Sequence, residues 1–177
     1  MTAERGNACP IPTPIPAPPR RVSKTLPPYR YVPGLNPHPF RNPNGHMYTD
    51  GTAPDHAVWM PTDDWENDAT LRYAADLFDH RFFWEAHEEW ESVWHCCPLE
   101  GIDRPVLQSL IQLAASILQH HMGQRRSQTL LFERARRRMV EHQIVRHKGI
   151  AIADLLSATE AFFVTGVYPR LMFGRPT

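Results

Sequence analysis

The chain has 177 residues, 42% of them hydrophobic, and sets 19 Lys and Arg against 19 Asp and Glu for a formal net charge of zero. That length suits one domain with a tail, and the neutral balance argues against a general polyanion binder. Charge is segregated all the same: Asp63 to Glu91 holds ten acidic residues and two arginines, and Arg125 to Lys148 holds eight basic residues and two glutamates, so the two segments are expected to pack against each other.

Most of the 18 prolines precede residue 62, and residues 1–28 are Pro-rich without periodicity. They are expected to form a disordered or polyproline-like tail. Residues 29–61 differ, because their prolines and glycines alternate with Tyr29, Tyr31, Phe40, Met47 and Tyr48. Aromatic residues at that density predict an irregular arm laid on a core.

From residue 62 the pattern becomes helical. Thr62 or Asp63 is the predicted cap of a first helix ending near Asp79. "FFWEAHEEWESVWHC" is the second, stopped by Pro98. Asp103, with Pro105 in the first turn, opens the third, which Gly123 ends. Ser127 is the predicted cap of the fourth, and Gly166 ends the fifth before a tail at 167–177. No long run alternates with period two. The predicted fold is all-α, a compact bundle of about five helices over 62–166. A loose repeat near forty residues, each unit opening on an Ala pair, adds a hint of helical-hairpin pairs.

Cys9, Cys96 and Cys97 supply no disulfide framework, since adjacent cysteines do not readily bridge each other and no C-x-x-C occurs. No segment has the apolar length of a membrane span, and the N-terminus lacks an apolar h-region. The expectation is a cytoplasmic protein that does not enter a membrane.

The second helix poses the functional question. At about 100° per residue, Phe83, Trp84, Trp90, Glu91 and Trp94 share a face with His87. Glu85, Glu88, Glu89 and Ser92 fall on the opposite, solvated side. A carboxylate placed among indoles needs a cation, a proton or strong donors, and His at i with Glu at i+4 can meet each other or one ion. A structural His–Glu pair is the plainer reading. "HEEWE" is not a zincin helix, because position 91 is Glu where the second histidine would stand. His121 continues the apolar stripe of the third helix by one turn, and His38 and His46 lie in the arm.

H-x-x-x-E-x-x-W, here His87, Glu91 and Trp94, followed by "LIQLAASILQHH", resembles the bacterial and archaeal family called domain of unknown function 309. The similarity covers roughly residues 29–140, with "YVPGLNPHPFRNPNGHMY" resembling an N-terminal extension of a longer subset. It implies a compact helical bundle and a metal-binding role for the positions of His87, Glu91 and Trp94, without supplying a reaction. The chain departs from the family at Ser127 and Gln128, where a small Gly-containing step is usual, and at Asp79-His80-Arg81, where an Asn/Gly-type turn is usual.

The leading expectation is therefore a buried site with His87 and Glu91 as ligands and Trp84, Trp90 and Trp94 as its walls. His121, His38 or His46 would complete a Zn²⁺, Mn²⁺ or Fe²⁺ site, because two ligands from one helix are too few for tight binding. The competing expectation is a non-enzymatic interaction module, binding a protein partner or its own copy, with a structural His–Glu pair. Nucleic acid is disfavoured, since the basic stretch lacks interleaved aromatics.

Overall fold

The computed structural model describes residues 10–50 and 60–173. Five helices follow in order, α1 (Ala69–Asp79), α2 (Phe83–Cys96), α3 (Asp103–His121), α4 (Arg125–Glu141) and α5 (Ile152–Thr165). Among the described residues the only β pairing is two isolated bridges, His147 with Ile150 and Ile150 with Phe173. The all-α bundle expected from the sequence is the observed fold.

Helix boundaries follow local chemistry, with some differences from expectation. Asp68 caps α1, its side chain accepting from Leu71 N at 2.8 Å, while Thr62 instead caps a turn through Asp64 N. α2 stops at Cys96, one residue before the extended conformation that Pro98 imposes on Cys97. Ser127 does not cap α4, which already begins at Arg125. Gly166, with φ 74°, closes α5 in the left-handed conformation that glycine adopts without strain.

Successive helices are neighbours, α1 on α2, α2 on α3 and α3 on α4, and α5 lies on α3. The short α1–α2 corner requires Arg81 to take φ 68°, a conformation that favours Gly or Asn. Arg81 is held there by its amide, which donates to Phe78 O, by a donor to Pro12 O at 3.0 Å, and by Tyr168, whose ring lies 3.7 Å from its guanidinium carbon.

One core joins all five helices, with Leu71, Phe78, Phe83, Trp90, Leu107, Leu110, Leu113, Ile117, Phe132 and Phe162 buried in it. Ile11, Val32, Trp65 and Leu171, all outside the helices, are buried in the same core.

That last observation corrects the expected tail. Over its described part, 10–28, the Pro-rich segment lies on the bundle. Ile11 is buried, and Arg20, Arg21 and Val22 all hydrogen-bond to Asp76 on α1. Composition signalled only the lack of regular structure; the attachment comes from two buried carboxylates of α1, Asp76 and Asp79. The tail expected at 167–177 is described as far as Phe173, and that part is anchored by Leu171, whose amide donates to Asp79 Oδ1 at 2.8 Å. The arm is described at 29–50 and lies on α2, with Tyr31, His38 and Phe40 around Trp84; residues 51–59 of the expected arm lie outside the described residues.

The acidic and basic segments do not pack face to face. Lys148 at the end of the basic segment pairs with Asp63 at the start of the acidic one. Asp76 and Asp79 are met by Arg20 and Arg21 instead, and Arg136 and Arg137 pair within α4.

Candidate functional site

α2 is buried on two sides. Phe83, Ala86, Trp90 and Val93 face the core, as their spacing predicts, and Glu85 is buried on the opposite side beneath the arm. Between these sides runs a half-exposed strip carrying His87, Glu88 and Glu91.

One donor atom from each of His87, Glu88 and Glu91 can be chosen so that all three lie within 4.8 Å of one another. His87 Nδ1 is 3.3 Å from Glu88 Oε1, and the two side chains are about a quarter exposed. The cluster follows from helix geometry: Glu91 is i+4 to His87 and i+3 to Glu88, so it lies one turn above both. The expected pair is brought together, but the third member is Glu88, which the helical wheel assigned to solvent. A glutamate has enough reach to cover the 100° between neighbours.

The other expected participants lie elsewhere. Trp90 is in the core against Phe78, and Trp84 is among the arm aromatics. Trp94 lies beneath the Arg104 guanidinium, 4.0 Å from its ring. His121 is at the far end of the bundle, where Nε2 is 3.0 Å from the Tyr168 hydroxyl and its ring lies nearly parallel to those of Phe83 and Tyr168, the three clustered side by side. Burial there pushes it down to about 4. His38 accepts the Phe40 amide on Nδ1 and lies edge-on to Trp84. None of His38, His46 and His121 joins the cluster, and the cluster is partly exposed where a buried site was expected.

The buried His–Glu pair is a different one. His46 Nε2 is 3.7 Å from Glu85 Oε1, and both side chains are almost wholly buried. Tyr31 N donates to the same Oε1 at 2.9 Å, and Tyr29 lies edge-on to the His46 ring. Burial raises Glu85 to about 7 and lowers His46 below the ordinary imidazole value. Just below pH 7 the carboxyl is therefore mostly protonated beside an uncharged imidazole, where the arm covers α2. Period alone had placed Glu85 in solvent; the density of Tyr and His in the arm was the available signal that something must cover that side.

Fold and cluster together define an all-α bundle with an imidazole–carboxylate group on its second helix. Residues 71–131 match the sequence profile of the family described as "Domain of unknown function (DUF309)", so the resemblance read from the α2 motif is borne out from α1 through the first turns of α4. No curated protein and no solved structure matches the chain. No helix among the described residues is long and apolar enough to cross a membrane.

Proposed function

We propose that the protein binds a divalent cation through His87, Glu88 and Glu91. The observation that carries this reading is the convergence of one imidazole nitrogen and two carboxylates within 4.8 Å on one turn of α2. Donors sharing an ion at about 2.1 Å sit no more than roughly 4.2 Å apart, so small side-chain rotations bring the three into range. Two carboxylates held this close repel each other, and a cation relieves that repulsion.

The mixed N/O set suits Zn²⁺, Mn²⁺ or Fe²⁺. Three ligands from one helical turn leave the outward positions to water, the form of an open site rather than a closed structural one. Binding is correspondingly modest and sensitive to acid, since His87 must be neutral to ligate.

Calorimetric titration of untagged protein with Zn²⁺ and with Mn²⁺ tests the proposal. Glu88→Gln and Glu91→Gln are each expected to weaken binding by at least about tenfold. Glu89→Gln, whose carboxylate pairs with Lys24 outside the cluster, is expected to bind as the parent does. A parent chain indifferent to both ions removes this reading and leaves the interaction module.

A further inference from the structure

α4 buries Gln128, Phe132, Ala135 and Met139; it packs chiefly on α3, with Phe132 also edge-on to Phe163 of α5. The opposite side carries a stripe of Leu130, Glu133, Arg137 and Val140. Leu130 is 49% exposed and Val140 65%. Shallow depressions along this side are lined by α4 residues alone, so no other part of the described chain covers it.

The spacing of the stripe is three, four, three. That is the a/d seam by which one helix lies along another. Its composition has a polarity of its own: aliphatic, acid, base, aliphatic. Read backwards it becomes aliphatic, base, acid, aliphatic, so the stripe complements itself when reversed. We propose that it is the two-fold interface of a homodimer, with α4 of two copies lying antiparallel.

In that register Leu130 meets the partner's Val140, and Glu133 meets the partner's Arg137, each contact occurring twice as an isologous interface requires. Arg134 is exposed, with no ion-pair partner among the described residues, and it lies on the flank that faces the partner's Glu141. A parallel in-register pairing would instead set Glu133 on the partner's Glu133 and Arg137 on the partner's Arg137. Charge therefore selects the antiparallel arrangement.

Within one copy the same glutamates are only loosely committed. Glu133 bonds Arg136 one turn along, and Glu141 is 3.6 Å from Arg137, both pairs well exposed. Such pairs contribute little and exchange readily. Two aliphatic contacts and four exposed ion pairs make a small interface, below the area of a permanent dimer. The association is weak, concentration-dependent and reduced by salt.

Sedimentation of the full chain over a wide range of concentration at low ionic strength is the test. The mass is expected to rise from that of the 20.4 kDa monomer toward its double, and to fall back when salt is added. Glu133→Arg and Arg137→Glu are each expected to sediment as monomers with unchanged helicity. An equimolar mixture of the two is expected to dimerise again, because only the mixed pair sets opposite charges against each other. A parent chain that stays monomeric throughout overturns the proposal. So does a dimer that survives in both variants, or a mixture no more associated than its components.

Discussion

Asp76→Ala is expected to destabilise the fold by about 3–5 kcal/mol, the usual cost of removing one member of a buried charged network. Asp76 is fully buried on α1. Its carboxylate accepts from Arg20 Nε, from the amides of Arg21 and Val22, and from Arg21 Nη1. Arg21 continues to Asp79 Oδ2 at 2.8 Å and to Leu171 O at 2.6 Å, so one arginine ties the segment before the arm, α1 and the end of the chain.

Burial alone would raise Asp76, yet these donors hold it below the ordinary carboxylate value. Its contribution is therefore complete above the unfolded value and is lost as the pH falls through the folded one. Removing the carboxylate leaves two backbone amides without acceptors and a guanidinium half-committed. Urea unfolding measures the loss, and limited proteolysis should find new cleavage around residues 20–24. Lys24→Ala, which removes the exposed pair with Glu89, is the comparison and should cost no more than about 1 kcal/mol. A loss that small at Asp76 would mean that 20–22 is not seated on α1.

Which parts of this molecule were legible in its sequence depends on range. All five helices were, because apolar spacing, Pro98, Gly123 and Gly166 act within a few residues. The caps were less so: Thr62, Asp63 and Ser127 are all capable residues, yet Asp68 caps α1 through Leu71 N and α4 begins at Arg125 without a side-chain cap. The attachment of 10–28 was not legible. Low aromatic content and many prolines describe a chain that cannot form a core of its own, and they say nothing of whether a neighbouring helix offers Asp76 and Asp79 as acceptors.

The α2 site shows the same division. His87 and Glu91 come together because i and i+4 always do. The error lay in assuming that only one face of α2 is covered. The core side with Phe83, Ala86, Trp90 and Val93 and the side bearing Glu85 are both enclosed, the second by Tyr31 and His46 far upstream in the sequence, so helical period assigned Glu85 to water. His46 was picked out as a partner for a helix glutamate, and the residue it meets is Glu85 rather than Glu91.

Glu85→Gln is expected to leave stability nearly unchanged at pH 5 and to raise it by up to roughly 3 kcal/mol at pH 8, taking about 1.4 kcal/mol for each unit of pKa displacement. Glu85 is 3% exposed, and burial lifts its carboxyl from 4.5 to about 7, the Tyr31 amide and Arg30 opposing the rise and Glu88 adding to it. The folded state thus binds the proton more tightly than the unfolded chain does. Stability from this group is fully present below pH 4.5 and declines as the pH climbs toward 7, above which a bare carboxylate is confined beneath the arm. Glutamine keeps the acceptor for Tyr31 N and cannot ionise, so the decline should vanish. His46 and His121, both held neutral by burial, give the opposite slope, losing stability as the pH falls below the imidazole range; the His121 part is common to both proteins and cancels in the difference, while His46 touches Glu85 and is compared at pH 8, where it is neutral in both. Urea melts of the two proteins at pH 5 and pH 8, with chelator present so that no cation at Glu88 contributes, supply the measurement. Parallel profiles would mean that Glu85 is already ionised and hydrated in the folded protein, and that the arm does not seal it.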